Sequence, residues 1–301
     1  MNPWFKDYSE YLGSIFPNRK VQKLSVNTGH GCPNRDGSIG TGGCIYCNNS
    51  SFTPGYCFGI SGVGPQLEAG KKFFGRKYKD MDYIAYFQSF SSTYGSGLEE
   101  ELAEALEVEG ICGIALGGRP DCLGDDTLSL LETTARRVPV FLEIGVESMH
   151  DTTLRLINRG HDSAASAEAI KRAASHGLHV GVHLINGLPR ESPEMMLESV
   201  RRICDLPVET IKLHHLQVLK GSELHRRIED GSLSVKPFSM EEYLDLCVKI
   251  VDLVPRRICI ERFLAQAPPE IVVMPRWGIK NYIFTEKLLK QLKGRHSVNK
   301  E

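Results

Sequence analysis

Three cysteines near the amino terminus constrain this chain more than any other feature. Cys32, Cys44 and Cys47 are spaced C-x11-C-x2-C. Thiolates are the usual ligands of iron–sulfur clusters and of structural zinc, and a C-x2-C pair lets two sulfurs reach one metal centre from a single turn. The spacing therefore predicts a metal-binding loop.

The number of cysteines leaves two kinds of metal centre open. A closed zinc site needs four protein ligands, whereas three thiolates on a four-iron cluster leave one iron free for a substrate or cosubstrate. His30 or Cys57 is close enough in sequence to supply the fourth ligand of a zinc site. On ligand count alone, zinc and an open cluster are equally well supported.

The composition is that of a globular enzyme in a reducing compartment. The chain has 301 residues, of which 41% are hydrophobic and 24% are charged, so it can form one large core. Nine cysteines, an odd number, argue against a disulfide framework. We find no export signal and no apolar run long enough to cross a membrane. These observations predict a cytoplasmic protein without membrane contact.

Alternating strand-like and helical patterns predict an α/β fold with a parallel sheet. The strand-like runs cover residues 21–27, 83–88, 111–116, 140–144, 178–185 and 210–218. The helical patterns cover residues 65–78, 98–107, 127–137, 151–157, 164–175 and 194–205. Such an alternation demands crossover connections and places the helices outside a parallel sheet, which is either open and doubly wound or barrel-like.

Polar residues at the carboxyl ends of five predicted strands favour the barrel. In a parallel barrel these ends meet at one mouth, where active sites form. Each residue taken alone is equally well explained as a buried hydrogen-bonded group or a helix cap. Their shared position makes them candidate site residues: Gln88 and Ser89, Arg119 and Asp121, Glu143 and Glu147, His183 and Asn186, His215 and Gln217.

The end of the chain is basic. From Pro255 onward there are ten Lys and Arg against four acids, although the net charge of the whole chain is only −1. A solvated helix face and a phosphate-binding surface both explain such a run.

The last part of the chain is predicted to contain a helix over 243–251, short strands over 257–261 and 270–274 and a helix over 282–292. We divide the chain into an extension (residues 1–20), a core domain (21–260) and a basic carboxyl-terminal extension (261–301).

The cysteine loop resembles the cluster loop of radical S-adenosylmethionine (radical SAM) enzymes, in which an aromatic residue, here Tyr46, precedes the last cysteine. Its long first gap and its Cys-Pro-Asn-Arg-Asp-Gly start resemble the YtqA/YhcC-type subgroup. Over roughly residues 23–277 the chain is similar to that subgroup and to the radical SAM domain of the Elongator catalytic subunit. The later matching segments are Arg119–Cys122, Glu143–Ser148, Ile157–His161, His183–Pro189 and Lys212–Gly221.

The resemblance implies a fold, a cofactor and a reaction. The fold would be a partial, TIM-like (β/α)6 barrel. Cys32, Cys44 and Cys47 would hold a [4Fe-4S] cluster, and its open iron would bind S-adenosyl-L-methionine (SAM). An electron from a donor such as flavodoxin or ferredoxin would then cleave SAM reductively and give a 5′-deoxyadenosyl radical.

The resemblance also suggests which residues bind SAM. Gln88 and Ser89 occupy the place of a Gly-Gly-Glu-like turn that contacts the methionine amino group in many family members. Glu147 and Arg159 match residues that contact the methionyl or ribose portion, and an arginine would pair with the methionine carboxylate. His183 lies where a relative has an acidic ribose contact.

Cysteines outside the loop have two interpretations. Cys122, beside Arg119 and Asp121, is a candidate catalytic thiol that donates a hydrogen atom or handles the substrate, although a lone cysteine is also typical of core packing. The apolar surroundings of four others predict core positions: Cys112, Cys204, Cys247 and Cys259.

The subgroup resemblance suggests tRNA as the substrate, with modification of the side chain on the wobble uridine. We expect neither acetyl transfer nor methylthiolation, because the sequence contains no acetyltransferase domain after its basic end and no second three-cysteine set before Cys32. Arg256 and Arg257 are candidate RNA contacts. Two alternatives stay open: the same radical chemistry on a small metabolite or a protein side chain, and a zinc-stabilised binding module without catalysis.

Overall fold

Eight parallel strands form the central sheet of the protein. The computed structural model describes residues 2–48, 53–76 and 80–298. The strands of this sheet are β1 (Lys6–Asp7), β2 (Val21–Val26), β3 (Asp82–Phe87), β4 (Ile111–Gly118), β5 (Val140–Glu147), β6 (His179–Asn186), β7 (Thr210–His215) and β9 (Cys259–Arg262). Their spatial order is β1-β9-β7-β6-β5-β4-β3-β2, and every neighbouring pair is parallel. The sheet curls into a half-barrel, which confirms the predicted fold.

Helices connect the strands and pack on the outer face of the sheet. They are α1 (Tyr8–Ile15), α2 (Val63–Gly75), α3 (Leu98–Glu107), α4 (Asp125–Ala135), α5 (Asp151–Leu156), α6 (Ser163–Ser175), α7 (Pro193–Cys204), α8 (Glu223–Glu229), α9 (Met240–Leu253) and α10 (Asn281–Val298). The predicted helix over 65–78 corresponds to α2, and its residues 77 and 78 lie outside the described residues. Among the described residues, none of the helices combines the length and the apolarity that a bilayer span requires.

Alternation along each strand separates the outer core from the interior of the half-barrel. On β2, for example, Leu24 and Val26 are fully buried in the main apolar core together with Leu67 of α2, whereas Lys23 points the opposite way because successive side chains of a strand alternate. Burying each such aliphatic side chain stabilises the fold by about 1.5–3 kcal/mol. The four cysteines predicted to be core residues are buried, as expected.

Both ends of the chain join the sheet. Lys6 and Asp7 of β1 pair with Cys259 and Ile260 of β9, at the edge opposite β2. The six strands of the expected barrel are therefore joined by β1, from the predicted amino-terminal extension, and by β9, which overlaps the short strand predicted over 257–261. The division at residues 20 and 260 stays a prediction.

A short antiparallel ribbon follows the sheet at the end of β7. The predicted strand over 210–218 is interrupted after His215, and Val218–Leu219 forms β8, which pairs with β10 (Val272–Met274). The ribbon therefore lies at the carboxyl ends of the parallel strands. This end of the half-barrel contains the cavity described next.

Candidate functional site

A cavity of about 360 Å³ opens at the carboxyl ends of the parallel strands. Nine residues were predicted to hold the cluster, to bind SAM or to act as a catalytic thiol. Seven of them line the cavity: Cys32, Cys44, Cys47, Gln88, Glu147, Arg159 and His183. Residues far apart in sequence meet here because parallel strands place all their carboxyl ends on one edge. The structure thus brings the three cysteines and most of the strand-end residues to one site.

The cysteine loop is fixed to the turn that follows α5. Asn158 has a left-handed backbone (φ 54°), and its Nδ2 donates to the carbonyl oxygens of Thr41 (3.2 Å) and Gly43 (2.8 Å). In the opposite direction, Asn34 donates from Nδ2 to the carbonyl oxygen of Asn158 at 2.5 Å. Asparagine tolerates the left-handed region better than most residues. These reciprocal bonds hold the loop in place across the mouth.

Tight turns within the loop present the sulfurs. The backbone N–H of Arg35 donates to the carbonyl of Cys32 (2.8 Å), and that of Cys47 donates to the carbonyl of Cys44 (3.0 Å). Burial, reinforced by the neighbouring Cys44, raises the pKa of the Cys47 thiol. Cys44 is buried and Cys32 and Cys47 are partly buried. Neighbouring thiolates in such a place are unfavourable unless a cationic centre compensates them, so this donor set fits an iron–sulfur cluster.

Arg159 connects the cysteine loop to the end of β5. Its side chain is buried, with Nη1 donating to the Cys44 sulfur at 3.4 Å and Nη2 donating to the Gly145 carbonyl at 2.6 Å, and Glu147 lies 3.5 Å from Nη2. Burial alone would lower the pKa of Arg159, but Tyr46, Cys44 and Glu147 raise it well above its ordinary value. Its Nε is buried without a protein hydrogen-bond acceptor, so a bound carboxylate would fit beside it.

Arg119, at the end of β4, supports this arrangement from behind. It forms a bidentate ion pair with Asp121, from Nε at 2.8 Å and from Nη2 at 2.6 Å. The same Nη2 donates to the backbone carbonyl of Arg159 at 2.7 Å, which fixes the turn that carries Arg159. Arg119 lines the cavity, and its Nη1 is buried without a protein acceptor.

Both residues proposed to complete a zinc site are held by other groups. His30 bonds through Nε2 to Glu101 of α3 at 2.8 Å, and the Cys57 thiol donates to the Ser25 carbonyl at 3.4 Å. Among the residues that the structure describes, no three His, Cys, Asp or Glu side chains are grouped closely enough to hold one metal ion. A four-iron cluster does not require such a grouping, since its ligands bind different irons.

The remaining predicted residues are placed differently. Gln88 lines the cavity and accepts a hydrogen bond from Ser25 Oγ at 3.2 Å. Ser89 is buried and donates to Asn27 Oδ1 at 2.6 Å, behind the wall of the cavity. Cys122 is buried beside Asp121, and burial raises the pKa of its thiol to about 11. Neither Ser89 nor Cys122 is among the described residues that line the cavity.

A buried ionic network, which the sequence analysis missed, forms the floor of the cavity. Glu143 of β5 contacts Lys23 of β2 and accepts from Lys212 of β7 at 2.5 Å. Glu261 of β9 lies 3.1 Å from both lysines. The two lysines and two glutamates alternate in charge, so each buried charge has opposite charges beside it. The network ties the edge strand β2 to β5, β7 and β9 across the interior of the half-barrel.

Aromatic and imidazole groups complete the network. Glu143 also accepts from Tyr86 Oη at 2.5 Å and contacts His183 Nε2 at 2.9 Å. Burial would raise the pKa of Glu143, but Lys212, Lys23 and His183 hold it well below its usual value. Burial, with Lys212 adding to its effect, lowers the pKa of His183. His183 is therefore neutral at pH 7 and has one ring nitrogen committed to Glu143.

The wall formed by β7 and β9 carries His214, His215 and Arg262. Arg262 Nη2 lies 3.4 Å from His214 Nε2, and burial together with Arg262 lowers the pKa of His214 well below 6.5. His215 stacks on Trp277, with ring centroids 4.2 Å apart, and burial lowers its pKa to about 4. Both imidazoles are consequently neutral at pH 7.

Comparison with known families identifies the chain. The model of the radical SAM superfamily matches residues 26–203, which include the cysteine loop and the four strands β3 to β6, and the model of the radical SAM C-terminal domain matches residues 208–294. The chain belongs to the radical SAM superfamily.

Two bacterial relatives cover most of this radical SAM protein. It is 32% identical over 280 residues to an uncharacterised protein of Bacillus subtilis, YtqA, covering 92% of this chain and 86% of the relative. It is 36% identical over 262 residues to YhcC of Escherichia coli, covering 86% of this chain and 83% of that protein. The predicted resemblance to this subgroup is confirmed.

More distant similarity leads to a protein named for tRNA and to an archaeal Elp3. A tRNA uridine(34) acetyltransferase of Methanocaldococcus jannaschii is 24% identical over 230 residues, covering 73% of this chain but only 41% of the relative. The solved structure of the archaeal Methanocaldococcus infernus Elp3 superposes with a TM-score of 0.68 at 18% identity, covering 92% of this chain and 64% of that one. The latter likeness supports the half-barrel fold of this radical SAM protein.

Proposed function

We propose that this protein is a radical SAM enzyme that binds a [4Fe-4S] cluster through Cys32, Cys44 and Cys47, generates a 5′-deoxyadenosyl radical from SAM, and modifies the wobble uridine side chain of tRNA. The observation that carries the proposal is that the three cysteines share one cavity with Arg159, whose guanidinium contacts both a cysteine sulfur and the end of β5.

The chain would position SAM with residues at the strand ends. When bound, the reduced cluster supplies the electron that splits a sulfur–carbon bond of SAM. Arg159, with its unpartnered Nε, would hold the methionine carboxylate, and Glu147 would accept from the amino group. Gln88 and His183 line the cavity where they would contact the amino group or the ribose. A buried floor keeps water away from the radical.

The hydrogen bonds of His30 and Cys57 support a cluster rather than zinc. Each would have to break an existing contact, to Glu101 or to the Ser25 carbonyl, before it ligated a metal. Three cysteines without a fourth ligand suit a centre with one open position. An external electron donor such as flavodoxin or ferredoxin would reduce it. Ser89 would act from behind the cavity wall by fixing Asn27. Cys122, beside Asp121, would donate a hydrogen atom or handle the substrate.

The rim of the cavity supports an RNA substrate. Exposed Lys220 follows β8, and exposed Arg276 and Lys280 lie between β10 and α10, all at the carboxyl ends of the strands. Lys220 is beside the cysteine loop, because Asn48 Nδ2 donates to its carbonyl at 2.9 Å. These cations would contact phosphates while an extruded base enters the cavity. They take the role that the sequence analysis assigned to Arg256 and Arg257.

Arg256 and Arg257 lie at the opposite end of the sheet. They precede the amino end of β9, where Arg256 donates to the Asn2 carbonyl at 2.8 Å and pairs with Glu10 at 3.3 Å, and Arg257 donates to the Cys204 carbonyl. Both are engaged in holding the ends of the chain together, far from the mouth of the half-barrel. The rim cations are thus the better candidates for RNA contacts.

Two measurements test the proposal. Protein reconstituted with iron and sulfide without oxygen should bind about four irons and, once reduced, should release 5′-deoxyadenosine from SAM. Transfer RNA from cells that lack the gene should miss a modified uridine that cells with the gene contain. A colourless zinc protein would overturn the radical chemistry. Unchanged nucleosides together with SAM cleavage would overturn tRNA as the substrate and favour a small metabolite or a protein side chain.

A further inference from the structure

Four arginines line the cavity, and the three that are not exposed, Arg119, Arg159 and Arg262, differ in how their charge is compensated. Arg159 has Glu147 at 3.5 Å, and Arg119 has Asp121 at 2.6 Å. Arg262 also lines the cavity, yet none of the ion pairs among the described residues joins it to a carboxylate. Its Nε is buried and has no hydrogen-bond acceptor within the protein. A buried guanidinium donor without an acceptor is costly, so this position is suited to an anionic ligand.

Arg262 and the charged groups of the floor network together carry one more positive than negative charge. Lys23 and Lys212 balance Glu143 and Glu261 in the floor network. The neighbouring imidazoles of His183, His214 and His215 add no charge at pH 7, since burial keeps them neutral. Arg262 also interacts electrostatically with Glu261, which it shares with the two lysines, so these five charged groups together carry one positive charge in excess. A ligand with a single negative charge would complete the balance.

His214 fixes the direction in which Arg262 can bind. His214 Nε2 lies 3.4 Å from Arg262 Nη2, and its ring packs at 5.3 Å against that of His183. The Cα atoms of Arg262 and Lys212 are partners in the β7–β9 register, so Arg262 belongs to the sheet and not to a loop. Its fork is thus held in one orientation, which favours bidentate recognition of a planar group.

We propose that Arg262, oriented by His214, is a substrate subsite that binds a carboxylate, separate from the place where Arg159 receives the carboxylate of SAM. A carboxylate carries one negative charge and matches the guanidinium fork, whereas a phosphate monoester carries nearly two at pH 7. The subsite deepens the proposed function, on which it rests for the identity of the ligand as the substrate of the radical reaction. The substrate class is then a molecule, or a modified nucleoside side chain, that bears a carboxylate.

Sodium acetate is the probe that tests this subsite. It is titrated calorimetrically into reconstituted protein that is already saturated with SAM, so that Arg159 is occupied. We expect one acetate site, and a loss of affinity of about tenfold or more in Arg262→Gln, because a charge-assisted bidentate contact is removed. Arg256→Gln is the matched control: it removes the same charge from an exposed position at the opposite end of the sheet, and its acetate affinity should equal that of the wild type.

Several results would overturn the subsite. They are the absence of acetate binding when SAM is bound, equal acetate affinity in Arg262→Gln and wild type, and loss of SAM affinity in Arg262→Gln, which would make Arg262 a SAM contact. Tighter binding of inorganic phosphate than of acetate would overturn the carboxylate assignment. If Arg262→Gln does not fold, Arg262→Lys takes its place: it keeps the charge but loses the fork, so acetate affinity should fall, and an unchanged value contradicts the proposal.

Failure of this subsite and failure of the proposed function are distinguishable. Acetate binding does not require tRNA or turnover, so it can be present even if the tRNA nucleosides are unchanged. Conversely, a protein that modifies tRNA but does not bind acetate at Arg262 would keep the proposed function and lose the subsite.

Discussion

The Arg159 guanidinium donates from Nη1 to the sulfur of Cys44 at 3.4 Å, while its Nη2 donates to the carbonyl oxygen of Gly145 at 2.6 Å. One buried side chain therefore links the cysteine loop to the end of β5. Because the contact joins residues 115 positions apart in sequence, the geometry of the loop depends on the integrity of the half-barrel. Hydrogen bonds to ligand sulfurs also tune the redox potential of iron–sulfur centres.

Replacing Arg159 should affect both stability and the metal centre. In Arg159→Gln the Glu147 carboxylate loses its partner in a buried site, and we expect the free energy of unfolding to fall by about 3 kcal/mol. Loss of a positive donor beside Cys44 should also make the reduction potential of the reconstituted protein more negative. Urea denaturation and potentiometric titration measure the two effects. Exposed Arg155, four residues earlier, is the control, and a similar change in Arg155→Gln would contradict the explanation.

The loop should tolerate no side chain at position 40. A Cβ added to Gly40 would lie 2.4 Å from Asn34 Oδ1, and Asn34 cannot move without losing its bond to the Asn158 carbonyl. We expect Gly40→Ala to lose about 1–3 kcal/mol of stability and much of its iron. Gly13→Ala is the matched control: its Cβ would meet no atom within 4 Å in α1, and alanine should stabilise that helix by about 0.5–1 kcal/mol. Equal behaviour of the two variants would refute the contact.

Cysteine substitutions should separate the cluster from the zinc alternative. Cys44→Ser should bind little iron and release no 5′-deoxyadenosine, because a three-ligand centre has no ligand to spare. Cys57→Ser should keep both properties, since the Cys57 thiol is bonded to the Ser25 carbonyl. Iron and sulfide analysis with a reductive SAM-cleavage assay provides the measurement. Loss of the metal in Cys57→Ser would show that Cys57 is a ligand after all.

The sequence predicted the strand ends better than the interior of the half-barrel. Gln88 and Glu147 follow buried apolar runs, and the carboxyl ends of parallel strands meet by topology, so their placement at the cavity was predictable. Ser89 adjoins Gln88, and Cys122 follows Arg119 by three residues, yet neither Ser89 nor Cys122 is among the described residues that line the cavity. Their placement depends on local turns that no periodicity describes.

The ionic floor was missed although its pattern is present in the strands. Lys212 and His214 are two residues apart on β7, so alternation places both side chains on the face away from the helices, and Glu261 lies on the neighbouring strand β9. Which charges pair could not be predicted, because Lys23 and Glu143 meet only once the sheet curls. Curvature of a sheet is a property of packing and not of a single strand.

The floor network should make stability depend on acid pH through Glu143. Its pKa is lowered in the folded protein, so its stabilisation is complete above the pKa of an unfolded glutamate, about 4.3, and is lost as the pH falls through the lower folded value. Glu143→Gln should cost about 3–5 kcal/mol at pH 7, because two buried lysines lose a partner. The difference from wild type should shrink below about pH 4.

Urea denaturation between pH 3 and pH 7 measures this difference. Glu68→Gln is the control, because Glu68 is an exposed residue that pairs with Lys71 along α2; we expect a change of less than about 0.5 kcal/mol at every pH. A Glu143→Gln variant that stays parallel to wild type across this range would show that another carboxylate, such as Glu261, titrates instead.

Charges on the rim should govern the affinity for tRNA. Lys220 and Lys280 are exposed at the mouth, and Arg256 and Arg257 are exposed at the opposite end of the sheet. The double variant Lys220→Gln/Lys280→Gln should bind tRNA more weakly and reduce the slope of log affinity against log salt by up to about 2, one for each lost phosphate contact. The double variant Arg256→Gln/Arg257→Gln removes the same charge and should leave the slope unchanged.

Filter binding at several salt concentrations measures the tRNA affinity of both double variants, and thermal unfolding verifies that they are folded. If the two pairs had equal effects, nonspecific attraction would explain the binding; if only the second pair mattered, RNA would approach the amino ends of the strands, away from the cavity.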